Sequence, residues 1–323
     1  MSDETPAPEL DYPAVHNGLD FLRSVVELLD RDVPDGRSMK FAVLHLQAAT
    51  EVLVKACLAS IDWTQVFMKP ETADEDAYRA ADFQSCKIED AIKRLRQLGV
   101  EIAPAEKGQI TALARERNKL QHFGATLNAA AIEAQAGTVL EFLMRFIDEY
   151  LDPELDAADA EHLATEMQFV RDGVPRIRSY TTARMARLEP DLAPLKNTTL
   201  RCPDCGQWTL VADGGEIDCR LCQKSWEPAT FPLFYAVLVL GHSWRDYRKT
   251  GQPADICPDC GANTLVDEAY LADAPEQQRA FCFTCSQSFT GLDDCIRCGR
   301  HFPSTGDDDL VCGDCWTDVL ASD

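Results

Sequence analysis

Long apolar runs are missing from this sequence of 323 residues. The longest, FPLFYAVLVLG over residues 231–241, falls far short of the roughly 20 residues that a membrane-spanning helix needs. It is therefore expected as a buried element, and no membrane association is expected. Positive charge is also scarce: 31 Lys and Arg stand against 54 Asp and Glu, for a net charge of −23. Such a chain repels polyanions as a whole, so any nucleic-acid contact has to come from a local basic patch. The opening stretch MSDETPAPELDYP is acidic and lacks the basic and apolar regions of a secretion signal. A cytoplasmic, reducing location is expected, where disulfides are rare and closely spaced cysteines serve metals.

Strand-like alternation is absent from the first half, where apolar residues recur at helical spacing instead. Five helices are predicted, from about Tyr12 to Asp30, Ser38 to Ser60, Gln84 to Leu98, Pro104 to Gly124 and Ala129 to Leu151. Pro34 and Gly36 mark the turn before the second, and Pro153 closes the fifth. Residues 1–152 thus read as an all-α, up-and-down helical bundle. Residues 153–199 read as a helical connector whose five arginines, in RDGVPRIRSYTTARMAR at 171–187, form a solvated face. Residues 200–323 hold the cysteine-rich part and carry 9 Lys and Arg against 20 Asp and Glu, or 9 − 20 = −11. That balance disfavours a nucleic-acid-binding role for this part.

Twelve of the 14 cysteines form C-x-x-C pairs: Cys202/Cys205, Cys219/Cys222, Cys257/Cys260, Cys282/Cys285, Cys295/Cys298 and Cys312/Cys315. Two thiolates from one tight turn can face one ion, and two such turns complete the tetrahedral Cys₄ shell that zinc prefers. Three structural Zn2+ ions per chain are expected, and no catalytic metal, because four cysteines leave no open position. Glycine follows the first, third and fifth pairs (Gly206, Gly261, Gly299), whereas Gln223, Ser286 and Trp316 follow the others. CPDCGQWTLV at 202–211 and CPDCGANTLV at 257–266 are near copies. Sequential pairing is expected, with nesting of the last four pairs as the alternative. The motifs resemble zinc ribbons, which implies three small β-rich modules. His242 and His301 are surplus to these sites, and Cys57 and Cys86 are expected as small buried groups within helices.

Against the acidic background, residues 87–122 hold 8 basic and 5 acidic residues, a local excess of 8 − 5 = +3. Within this island lies RERNKLQHFG at 115–124. Asn118 and His122 are four apart and share a helix face, with Arg117 on its flank. The pattern Arg117-Asn118-x-x-x-His122 resembles the R-x₄₋₆-H signature of HEPN domains, in the position within a helical bundle where that family carries it. The stretch FAVLHLQAATEVLVKACLAS at 41–60, with Glu51 and Lys55, is similar to the second helix of that family. The resemblance covers about residues 10–152. It implies a metal-independent endoribonuclease of a toxin or antiviral system, acting on RNA as a homodimer through the bundle, with an antitoxin or trigger protein as partner. It implies Arg117, Asn118, His122 and, in support, Glu51 as catalytic residues. The competing reading is a non-catalytic adaptor that dimerises through the bundle and binds a partner through the ribbons.

Overall fold

The computed structural model describes residues 12–31, 35–123, 126–245, 247, 254–303 and 310–320. The chain divides between Arg184 and Met185 into two units.

The first unit is helical, with α1 (Ala14–Leu29), α2 (Gly36–Ile61), α3 (Glu75–Arg79), α4 (Ile88–Gln97), α5 (Pro104–His122), α6 (Ala129–Phe146), α7 (Ala157–Gly173) and the start of α8 (Arg178–Leu192). Local chemistry sets the starts. Asp35 accepts the Ser38 N–H at 2.7 Å ahead of α2, and Asn128 accepts the Ala131 N–H at 3.1 Å ahead of α6. Asp156 accepts from Ala158 and Asp159, each at 3.0 Å, ahead of α7. Each bond satisfies a donor that the first turn of a helix leaves open. Pro104 occupies the first turn of α5, where a missing N–H is harmless.

Helix α2 is the axis around which α1, α4, α5 and α6 pack. Ala42, Val43, Leu46, Ala49, Leu53, Val54 and Leu58 are fully buried along it. By length and composition α2 could cross a bilayer, but most of its apolar window is buried, so that surface faces protein. Glycine at position 18 lets α1 come close, because a Cβ there would stand 2.5 Å from Leu53 Cδ2.

Three sequence expectations are corrected here. The third helix starts at Ile88 rather than near Gln84, because residues 84–86 run extended and bond to residues 66–68: Met68 N–H reaches Gln84 O and Cys86 N–H reaches Val66 O, both at 2.8 Å. Cys86 is therefore buried outside a helix, whereas Cys57 lies in α2, where burial pushes its thiol up to about 12. Beyond Phe146 the fifth predicted helix continues only as a wider π turn, Ile147–Leu151. The predicted connector is not one over residues 157–184. Leu163, Met167 and Val170 make a helical stripe that packs against the bundle core, chiefly on α1.

Of its five arginines, Arg176, Arg178 and Arg187 are exposed as a solvated face would be, but three of the five are also tied to acids of the bundle. Arg171 meets Asp148 at 2.6 Å, Arg176 meets both carboxylate oxygens of Asp30 at 2.8 and 2.9 Å, and Arg184 meets Glu141 at 3.1 Å. The bundle therefore extends past residue 152 to residue 184.

The second unit is built on antiparallel strands: β1 (Thr199–Arg201), β2 (Trp208–Asp213), β3 (Glu216–Cys219), β4 (Ser225–Trp226), β5 (Asp255–Ile256), β6 (Asn263–Leu271), β7 (Ala274–Cys282), β8 (Ser288–Phe289), β9 (Leu292–Asp294) and β10 (His301–Pro303). The first two cysteine modules are not separate. Leu200 of β1 pairs with Leu271 of β6, giving one sheet in the order β4-β3-β2-β1-β6-β7-β8, with β5 on β6. Strands β9 and β10 form their own small sheet. Helix α9 (Phe231–Leu238) lies on the large sheet, where Phe231 and Tyr235 are fully buried and the Tyr235 hydroxyl accepts the Tyr270 N–H at 3.0 Å. The apolar run that sequence marks as buried is only half so, since Leu233, Phe234 and Leu238 are exposed. Helix α10 (Gly313–Leu320) ends the described chain.

Helix α6 crosses α8 at Gly137, where a Cβ would stand 2.4 Å from the Ser179 carbonyl carbon. Gly137→Ala is expected to cost about 1–3 kcal/mol, as overpacking against rigid backbone does. Gly108→Ala, on the exposed side of α5 with nothing near its Cβ, is expected to gain about 0.5–1 kcal/mol. Urea unfolding followed by the helical circular dichroism signal separates the two.

Candidate functional site

Helices α2 and α5 meet along a row of polar side chains. On α2, Gln47, Glu51 and Lys55 follow one another at intervals of four, so they share one face of an otherwise apolar helix. Glu51 accepts from Gln47 Nε2 at 2.9 Å through one oxygen and from Lys55 Nζ at 2.7 Å through the other. Lys55 also donates to Ser85 Oγ at 3.1 Å. On α5, Arg117 Nε donates to Gln47 Oε1 at 2.7 Å and its Nη1 donates to Asn118 Oδ1 at 2.9 Å. The result is one continuous chain: Asn118, Arg117, Gln47, Glu51, Lys55, Ser85. Burial pushes the Glu51 carboxyl up, but the bonds from Lys55 and Gln47 and the charges of Lys55 and Arg117 outweigh it and hold the group below its ordinary value.

Two of the expected residues, Arg117 and Asn118, are brought into direct contact, and Glu51 joins them through Gln47. His122 is not brought in. It stands exposed in the last turn of α5, and no hydrogen bond links it to Arg117 or Asn118 among the described residues. The Phe123 N–H closes the helix on Lys119 O at 3.1 Å, and the Phe123 ring is 93% exposed. Gly124, expected as the helix stop, lies outside the described residues. Gln47 was missed by sequence reasoning, although its spacing of four from Glu51 carried the signal.

The basic island is partly spent inside the fold. Arg94 donates to the carbonyls of Gln65, Phe67 and Met68, fastening the 63–72 segment, and Lys119 pairs with Glu116 at 2.7 Å. Lys87, Lys93, Arg96 and Arg115 remain exposed.

In the second unit the twelve C-x-x-C cysteines converge on three tetrads: Cys202, Cys205, Cys219 and Cys222; Cys257, Cys260, Cys282 and Cys285; and Cys295, Cys298, Cys312 and Cys315. Sequential neighbours pair, which removes the nested alternative. Facing sulfurs stand 3.6–3.7 Å apart. A tetrahedron of sulfurs 2.3 Å from a zinc ion has edges of about 3.8 Å, so each tetrad has the dimensions to hold one such ion.

Five of the six turns repeat one backbone pattern: the first cysteine N–H reaches the carbonyl five residues on, and its own carbonyl accepts the N–H four residues on. Closing that turn forces a left-handed residue after the second cysteine. Gly206, Gly261 and Gly299 supply it at φ near 70°, while Gln223 and Ser286 adopt it at 60° and 59° without glycine's freedom. The sixth turn departs from the ribbon pattern, since Cys315 lies in α10.

Two threonines in the near-copied motifs escaped sequence reasoning. The buried hydroxyls of Thr209 and Thr264 lie 3.1 and 3.3 Å from the sulfurs of Cys219 and Cys282. The Cys312 N–H approaches Cys295 Sγ at 3.3 Å and, as the main influence, brings that thiol down to about 6. Such donors stabilise the thiolate, the form that binds metal.

Comparison with family models, with curated proteins and with solved structures returned no match. The site therefore stands on its own geometry.

Metal analysis of the purified chain is expected to find the three tetrads filled by tightly held ions. Cys257→Ser should remove one equivalent, whereas Cys57→Ser and Cys86→Ser, outside the tetrads, should remove none. Equal losses from all three substitutions would contradict the assignment.

Proposed function

We propose that the helical unit is a metal-independent endoribonuclease of the HEPN type, acting as a homodimer, and that the three tetrads hold structural zinc. The observation that carries this reading is Arg117, tied through Gln47 to the Glu51–Lys55 pair, with His122 free in the last turn of the same helix. Held this way, the guanidinium is aimed by α2 instead of sweeping through solvent, and preorganised positive charge is what a phosphoryl transition state needs.

In such a reaction the 2′-oxygen of a ribose attacks the adjacent phosphorus and the bond to the 5′-oxygen breaks. The 2′-hydroxyl proton goes to a base, and the leaving 5′-oxygen takes a proton from an acid. The products are a 2′,3′-cyclic phosphate and a 5′-hydroxyl. Arg117 contacts the phosphate oxygens, and His122 handles a proton. One histidine cannot be base and acid at once. A facing second copy supplies the other, which is the chemical reason for a dimer. Zinc in the second unit replaces a core too small to hold these turns alone, and binding it supplies roughly 10–16 kcal/mol per structural site in small zinc modules. A toxin or antiviral effector, restrained by an antitoxin or released by a trigger protein, fits an enzyme of this kind.

The engagement of Arg117 with Gln47 and Asn118 equally suits a structural tie, and that favours the adaptor as the second reading. Cleavage decides between them. Arg117→Ala and His122→Ala should each lower RNA cleavage by about 10²–10³, the usual cost of losing one transition-state contact, with metal content unchanged. Arg115→Ala should be mild. Cleavage should survive EDTA too brief to strip the tetrads and should fail on a substrate with 2′-deoxyribose at the scissile position. Wild-type activity in the His122 variant, or dependence on added magnesium, would overturn the proposed mechanism, and no cleavage of RNA by the wild-type chain would hand the protein to the adaptor reading.

A further inference from the structure

Outside the tetrads, His301 of β10 stands where the third module meets the second. Its Nδ1 lies 2.9 Å from Asp294 Oδ1, on the residue directly opposite across the β9–β10 ladder. Its Nε2 faces Asp255 Oδ2 of β5 at 3.2 Å and Asp267 Oδ2 of β6 at 3.3 Å. The ligand atoms of Asp255, Asp267 and His301 all lie within 4.8 Å of one another.

Three features set this group apart from a chance surface cluster. First, the imidazole is mostly enclosed, with its side chain 14% exposed, so it is a fixed element and not a loose one. Second, Nε2 can carry one proton, yet two carboxylates approach it almost equally, and at 3.2 and 3.3 Å both are longer than the roughly 2.7–2.9 Å of a charge-assisted hydrogen bond. Those separations instead match the edge of a tetrahedron around a metal ion, about 3.4 Å for nitrogen and oxygen ligands at 2.0–2.1 Å. Third, three carboxylates surround one imidazole, and no Lys or Arg pairs with them among the described residues. A dication balances that charge, which a single imidazolium does not.

We propose that Asp255, Asp267 and His301 form a fourth metal site, for a divalent transition-metal ion bound through nitrogen and oxygen. Asp294 fixes the imidazole through Nδ1 and leaves the Nε2 lone pair as the ligand, the arrangement by which a carboxylate commonly orients a metal-bound histidine. With three protein ligands the ion keeps an open position for water, unlike the closed tetrads. It ties β10 of the third module to β5 and β6 of the large sheet, a second clamp beside the packing of Leu292 against the Cys257 cluster. The site is independent of the nuclease reading, since both its residues and its test lie in the second unit.

The test is metal stoichiometry on the full chain, dialysed against buffer with excess Zn2+ and then against a small excess of free metal. Wild type should hold one equivalent beyond the three tetrads. His301→Ala should lose that one and keep the three, and the retained three report that the modules are folded. Asp293→Asn, a neighbouring exposed acid outside the group, should lose nothing. If His301→Ala loses more than one equivalent, Asp255→Asn/Asp267→Asn decides: loss of one equivalent supports the site, and full retention overturns it. A wild type that saturates at three, or a His301 variant that binds as much as wild type, also overturns it.

Discussion

Helix α2 must bury apolar side chains against α1, α4, α5 and α6 while still carrying Gln47, Glu51 and Lys55. The rest of the first unit follows from that demand. A polar row on a core helix is tolerable only if every member is satisfied, because an unpaired buried polar group costs roughly 1–3 kcal/mol. Glu51 is satisfied from both sides on its own helix, Lys55 finds Ser85, and Gln47 has an amide oxygen left over. Arg117 of α5 takes that oxygen. The helix that carries the candidate site is thus registered on the bundle by the same bond that aims its arginine. The ion pair of Arg145 with Glu106, at 2.6 Å, holds the other end of α5 to α6.

The second unit answers the opposite problem, of strands too short to bury a core each. It combines two solutions. Cysteine tetrads fix the turns, and the first two modules share one sheet through the Leu200–Leu271 pairing, so Phe231, Tyr235, Phe281 and Phe283 can gather in one cluster. Among the described residues the third module has neither the shared sheet nor a large apolar cluster; beyond its cysteines only Phe302 and Val311 pack there. It is where an additional tie would matter most.

Much of this was legible in the sequence, for identifiable reasons. Apolar spacing located α1, α2 and α6, whereas α5, which buries only Ile110 and Leu113, was marked by Pro104 at its start. The cysteine turns were legible because ligand spacing and the residue after the knuckle are local properties. What escaped depends on pairing at a distance. Residues 84–86 run extended only because residues 66–68 offer bonds, and nothing local announces it. Helix α7 reads as a connector because its stripe is thin, with Leu163, Met167 and Val170 among many polar residues; its place is set by α1 and by Arg171, whose acid Asp148 lies on another element. In the site, Arg117 and Asn118 were legible as a motif, whereas Gln47, which joins them to Glu51, was hidden among the many contacts of a core helix. His122, exposed in the last turn of α5, is the residue that the structure leaves outside the network.

Whether Gln47 acts through Arg117 decides what the α2–α5 polar chain is for. A double-mutant cycle on RNA cleavage by the full chain measures this directly. Gln47→Leu should lower cleavage by about tenfold or more, as loss of a hydrogen bond of about 1.5–3 kcal/mol to a charged group implies. In the Arg117→Ala background the same substitution should cost nothing further, because the group it positions is gone. Full additivity of the two losses, or a Gln47→Leu protein that cleaves like wild type, would contradict the claim that the α2–α5 polar chain aims the arginine.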